Sequence, residues 1–163
     1  MFEIGVTVIG EKAIHYKLSR FADEVNDWRP CFKDLLELFK EMEREQFDSE
    51  GARSGDRWAE LSDKPEGKGY ASWKAKHRPG APILYLTGDL RANLTRPRSD
   101  IRKQQMSLYA SKASYWQYHQ TGTQKMPARP PIRFTESDLE DWRQTMHNFV
   151  YDSAHAAGMP TVG

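Results

Sequence analysis

The spacing of apolar residues changes several times along this chain, and each change predicts an element. Phe2 to Ile9 alternates imperfectly, with Ile4, Val6 and Val8 on one side, which predicts a strand closed by Gly10. From Glu11 the interval lengthens to helical spacing, with Ile14, Leu18, Ala22 and Val25 in one stripe and Phe21 beside it. Asn26 to Pro30 breaks that stripe. Pro30 suits the first turn of a second helix, where its missing N–H has no partner to lose. Phe32, Leu35, Leu36, Phe39, Met42 and Phe47 then form an apolar face reaching to about Asp48. Glu41, Glu43 and Glu45, near Lys40 and Arg44, read as the solvated side of this helix, and Gly51 as its C-terminal cap.

Residues 52–82 show little period and predict a long loop or arm rich in glycine and proline. Ile83 to Leu86 is a short apolar run. Thr87 follows as the expected cap of a short helix that carries Leu90 and Leu94 and ends at Arg96-Pro97-Arg98. Alternation returns over Ser99 to Ser111, which predicts a β-hairpin turning near Arg102 to Gln104. Three of the nine prolines fall within Pro127 to Pro131, so residues 122–133 should form a stiff extended arm. Two capping-box spacings follow, Thr135 with Asp138 and Ser137 with Glu140. The last helix presents Leu139, Trp142, Met146, Phe149 and Val150, and Gly158 and Pro160 stop it.

Length and charge narrow the class. At 163 residues the chain suits a single α+β domain, a small antiparallel sheet flanked by N-terminal and C-terminal helices. Only 38% of residues are hydrophobic and 29% are charged, which suggests a small core or a subunit that buries more surface on assembly. Cys31 is alone, so no intrachain disulfide or cysteine-based zinc site is expected. No signal peptide and no membrane span are read from the sequence, which points to a cytoplasm-like compartment. Charge is segregated. Residues 1–51 hold 7 Lys+Arg against 12 Asp+Glu, residues 52–133 hold 16 against 6, and residues 134–163 hold 1 against 5. A basic middle between acidic ends fits nucleic-acid binding or head-to-tail contact between subunits.

Candidate chemistry is sparse. His15, His77, His119, His147 and His155 are scattered, no pair has metalloprotease spacing, and no nucleophile sits in a recognisable context, so an enzyme is not expected. No cofactor is called for. Gly88 lacks the lysine and second glycine of a phosphate loop. The loop carries Lys64, Lys68, Lys74, Lys76 and Arg78 with Trp58, Tyr70 and Trp73 interleaved. That composition suits a single-stranded nucleic acid or a protein contact.

Several blocks, in order, resemble a known family. Trp58-Ala59-Glu60-Leu61-Ser62 is followed by Ile83-Leu84 with Leu86-Thr87-Gly88-Asp89-Leu90, and then by Tyr109-Ala110. Tyr118-His119-Gln120-Thr121-Gly122 and Met126-Pro127-Ala128-Arg129-Pro130 complete the order. Over about residues 47–150 this resembles the virion-morphogenesis proteins of tailed bacteriophages, which complete the tail or neck. Glu60 stands where that pattern has a proline, and Pro131 where it has an aromatic. The resemblance implies a structural virion subunit that forms a homo-oligomeric ring at the head–tail junction. Its partners would be connector, tail-terminator or tail-tube proteins, with DNA met at most non-specifically. A tail-terminator role and a nucleic-acid-binding module remain as alternatives. It also makes His119, Gln120, Met126, Arg129 and Pro130 candidate partner contacts beside the loop residues. On that reading, Arg129→Ala leaves the subunit folded and impairs its incorporation into particles.

Overall fold

In the computed structural model, which describes residues 11–110 and 115–160, helical spacing becomes helix at both ends of the chain. The order is α1 (Glu11–Val25), α2 (Arg29–Asp48), α3 (Tyr70–His77), α4 (Asp89–Thr95), β1 (Arg98–Arg102), β2 (Gln105–Tyr109), α5 (Trp116–Thr121) and α6 (Glu136–Ala156). Single 3-10 turns lie at Ala52–Ser54 and Pro65–Gly67. The protein is α+β, as its periodicities predict. The predicted Phe2–Ile9 strand lies outside the described residues.

Helix α2 is the spine, packed against both α4 and α6. Pro30 falls in its first turn. Its far end closes with two bonds, Gly51 N–H to the Gln46 carbonyl at 2.9 Å and Glu50 N–H to the Phe47 carbonyl at 3.2 Å. The sequence places a glycine at this stop, but the left-handed turn begins one residue earlier, on Glu50 at φ 50. A side chain there costs about 1 kcal/mol. The Glu50 carboxylate offsets this by accepting the Ile83 N–H at 2.6 Å and pairing with Arg57. Gly51 is needed for another reason as well. A Cβ on it would sit 2.6 Å from the Trp58 ring.

The core gathers where the second half of α2 meets α4. Phe47, Trp58, Ile83, Leu90 and Leu94 are buried together, with Leu61, Leu84, Trp116 and Ile132 packed around them. Phe47 meets Trp58 edge-on at 5.4 Å between ring centroids. A fully buried aromatic or leucine of this kind contributes roughly 1.5–3 kcal/mol. At the other end of α2, Trp28 lies 4.9 Å from Phe149 of α6, and its N–H is held by the Lys103 carbonyl in the hairpin turn. Cys31 is buried close by, and that burial, with Asp34 adding to it, pushes its thiol pKa up.

The hairpin falls where the alternation put it. β1 and β2 pair antiparallel from Arg98 with Tyr109 to Arg102 with Gln105. Helix α6 settles the choice between two caps. Thr135 accepts the Asp138 N–H, and the Asp138 carboxylate accepts the Thr135 N–H at 2.6 Å. Asp138 wins over Glu140 because it also receives Arg53, whose Nη1 lies 3.1 Å from it.

Four expectations are corrected. Residues 52–82 are not a structureless loop: two 3-10 turns and α3 fold the segment back on itself, with the Asp63 carboxylate accepting from Ser72. The helix cap before α4 is Gly88, at φ 90, while the Thr87 hydroxyl donates to Asp89 at 2.7 Å. Glu43 is not on a solvated face; it is 0% exposed. The stripe of α1 is only partly covered, with Ile14 56% and Leu18 49% exposed.

Candidate functional site

The arm at residues 122–133 organises the site. Proline has no N–H, so an arm rich in proline can be fixed only through its carbonyls and its other side chains. Gly122, at φ 73, starts it, and a Cβ there would lie 2.7 Å from the Ala128 backbone nitrogen. Thr123 and Met126 then exchange backbone bonds of 2.8 and 3.2 Å, which closes a tight turn. Arg129 N–H donates to the His119 carbonyl at 2.7 Å. The Pro130 carbonyl accepts from two side chains at once, Gln46 Nε2 and Trp58 Nε1, both at 3.0 Å. Gln120 finishes the docking, donating to the Ile132 carbonyl at 2.7 Å and accepting the Ile132 N–H at 3.2 Å.

Arg129 therefore does not reach outward. It is 3% exposed, and its Nε and Nη2 donate to the carbonyls of Ala59 and Glu60 at 2.6 and 2.7 Å. Glu60 and Tyr70 act on it electrostatically, but burial is the largest influence and lowers its pKa. After the turn at its start the arm leans on its own chain, and Arg129 is the pin. Trp58 and Lys74 are likewise inside, at 4% and 3% exposure. Lys74 Nζ donates to the Pro82 carbonyl, and burial lowers its pKa. These three are corrected as surface contacts. Gln120, Met126 and Pro130 are half-buried. Lys64, Lys68, Trp73, Lys76 and Arg78 are exposed, and Trp73 is stacked between Tyr70 and His77.

Pinning the arm shapes a cleft of about 570 Å³. Four segments build it, and each contains or adjoins one of the quoted blocks. Leu61 and Ser62 enter from the segment after Trp58, with Tyr70 and Lys74 of α3 beside them. Residues 84–90 form the opposite wall, where Leu84 is held at φ 60. Tyr115 and His119 come from α5 and its entry, and Lys125, Met126, Pro127 and Arg129 from the arm. A left-handed leucine is strained by roughly 1–3 kcal/mol, a conformation that recurs at ligand clamps. The lining is mainly apolar, with a few polar groups converging, which is the usual composition of a binding site.

The polar groups of this cleft are unusual in their charge. Lys74 and Arg129 are buried cations held by backbone carbonyls, and among the described residues neither forms an ion pair. The acids that act on them, Glu50 and Glu60, are both paired with Arg57. His119 adds a buried Nδ1 with no hydrogen-bond partner. Burial, and next the nearby Arg129, hold its pKa below the usual histidine value. Among the described residues, Asp89 is the one acid lining the cleft.

A second feature lies beneath the arm. Both carboxylate oxygens of Glu43 and the Oε1 of Gln46 are buried without partners. Burial raises the Glu43 pKa to about 8, against the lowering pull of Arg53 and with the raising push of Asp138. Glu43 is therefore a neutral acid at pH 7. A third feature is a groove of about 780 Å³ between α2 and α6. Glu24, Asp34, Glu37, Glu41 and Asp152 line it and, among the described residues, no Lys or Arg does, although Glu37 and Glu41 pair along the helix with Lys40 and Arg44.

Sequence reasoning missed Tyr85, Leu86, Tyr115 and Lys125 as parts of the cleft. Their signal was weak: a short apolar run at Ile83 to Leu86 and aromatics before Gly122. Tyr118, in the same helix as His119, is exposed. Among the described residues no group of three or more His, Cys, Asp or Glu is placed to hold a metal. No described helix is long and apolar enough to cross a membrane. Compared with protein families, with curated proteins and with solved structures, the chain finds no match.

Proposed function

We propose that this protein is a structural assembly subunit, of the kind that completes the neck or tail of a tailed bacteriophage. The observation that carries the reading is the separation of charge between two clefts of one chain. The groove along α2 and α6 is lined by acids, and the cleft closed by the arm carries exposed Lys125 with the buried cations Lys74 and Arg129 behind it, against the single carboxylate of Asp89 among the described lining residues. Opposite patches on one subunit suit heterologous contacts, in which copy after copy meets the next and closes a ring. The ordered blocks support the same reading, since the segments that carry them meet around the arm and its cleft. The subunit would then act in the virion, after assembly in the host cytoplasm, with connector and tail proteins as neighbours.

The test is electron microscopy of particles made without this protein. Full heads beside finished, unattached tails are the expected result. Overlong tails would assign it to tail termination instead. Normal infectious particles would defeat both roles.

A further inference from the structure

We propose that the cleft between α3, residues 84–90, α5 and the arm is a receptor for an extended peptide segment of a partner protein, one that offers an aromatic or branched apolar side chain next to a carboxylate. This inference stands on the cleft alone and does not depend on the assignment to a phage neck.

The apolar half of the specificity comes from shape. A volume of about 570 Å³ exceeds what one side chain fills, so the anchor enters with part of its backbone. The walls are Leu61, Leu84, Leu86, Leu90, Met126 and Pro127, surfaces that recognise an apolar group without demanding a single shape. The mouth continues into exposed rings and apolar side chains. Tyr70, Tyr85, Leu86 and Tyr115 are each 38–45% exposed. A small molecule would be covered by the cleft and leave this rim unused, whereas a chain passing across it covers the rim on both sides of the anchor.

The acidic half comes from charge. Two buried cations without an ion pair make the cleft positive, and carbonyl dipoles satisfy donors without neutralising charge. Arg129 Nη1 has no partner among the described residues, and the His119 Nδ1 is an orphan in the same wall. A carboxylate entering beside the anchor supplies the missing counter-charge, accepting from these groups in a site with little water. Lys125, exposed at the arm, extends the same field to the mouth. Asp89 is the opposing charge, and the Thr87 hydroxyl donates to its carboxylate.

The experiment is a titration of the isotopically labelled full chain, followed by NMR, with three capped peptides and one small acid. The peptides are Ac-Glu-Phe-Glu-NH2, Ac-Gln-Phe-Gln-NH2 and Ac-Glu-Ala-Glu-NH2, and the small acid is 3-phenylpropionate. Ac-Glu-Phe-Glu-NH2 should bind with a dissociation constant of order 1 mM or below and shift resonances of residues 84–90 and 119–129. The glutamine peptide should bind about tenfold more weakly or worse, the loss expected for one charge-assisted contact. The alanine peptide should not bind. Lys125→Glu, an exposed change that leaves the pinned residues in place, should weaken the acidic peptide and leave the glutamine peptide unchanged. His119 should titrate at a higher pH in the complex, because a carboxylate now faces it.

Equal binding of the acidic and glutamine peptides would overturn the charge argument. Phenylpropionate binding as tightly as the peptide would make this a small-molecule site. Concentration-dependent shifts of the same resonances without any probe would make the occupant a second copy of this chain. No shift in the cleft at about 10 mM of any probe would remove the site altogether.

Discussion

In the arm, Arg129 is 3% exposed and Pro131 is buried, whereas in α1 Ile14 and Leu18 stand 56% and 49% exposed. The sequence suggests the reverse arrangement: a charged, proline-rich segment looks built to reach outward, and an apolar stripe at helical spacing looks built to be covered. What separates them is the supply of partners. The arm cannot donate at its prolines, but its carbonyls meet Gln46 and Trp58, and Arg129 finds two carbonyls in return. A polar segment whose strong groups are mostly answered is as buriable as an apolar one. Helix α1 has the opposite balance. Its stripe packs only toward its C-terminal end, where Phe21 and Val25 are half-buried and the helix meets α6. Periodicity tells which face is apolar and is silent about what lies over it.

The comparison breaks first at Arg129. Arg129→Ala leaves the carbonyls of Ala59 and Glu60 unanswered in a buried setting and should cost about 3–5 kcal/mol in urea unfolding. Arg129→Lys keeps the charge, loses the fork, and should recover only part of this. An alanine variant as stable as the parent would return Arg129 to the role of an outward contact.

Glu43 tests the same interior by pH. Its folded pKa of about 8 lies above the ordinary glutamate value of 4.5, so the folded chain keeps a proton that the unfolded chain gives up. Stability from this group is whole below pH 4.5 and is lost as pH rises toward 8, by about 1.4 kcal/mol per unit. Glu43→Gln keeps the shape and removes the slope. It should match the parent near pH 5 and exceed it by about 4 kcal/mol above pH 8. A parent melting temperature that is flat over that range would show Glu43 charged and paired.

Gly122→Ala asks whether the turn into the arm is as tight as its geometry. A left-handed backbone and a Cβ 2.7 Å from a backbone nitrogen together predict a loss of about 2–3 kcal/mol. The smallest effect belongs to α1. Ile14→Asp and Leu18→Asp should each change monomer stability by less than about 0.5 kcal/mol, since neither residue is covered. A loss of several kcal/mol would show that the stripe is packed after all.

Helices α1, α2, α4 and α6, the hairpin and the last helix's cap residues were legible in the sequence because local rules set them: spacing, a proline in a first turn, a threonine three residues before an aspartate; α3 and α5, which lack a clear apolar stripe, were not. The cleft was not. Lys74 was one lysine among four in an aperiodic stretch, and nothing local distinguished it from exposed Lys76. Glu43 sat between two exposed glutamates on α2, and nothing local marked it as the one the fold buries. The blocks marked which residues matter but not which way they face, because that depends on carbonyls supplied by segments about seventy residues apart.

Cys31 has a practical consequence. It is the chain's lone thiol, it is 1% exposed, and burial keeps it protonated. A buried, protonated thiol is a poor nucleophile toward alkylating reagents. A cysteine introduced at the surface, for instance at Tyr85 or Lys125 on opposite walls of the cleft, should therefore take a dye or spin label almost alone, with the native chain as background. Paired labels would then report distances across the mouth of the cleft in solution without a cysteine-free variant having to be made first.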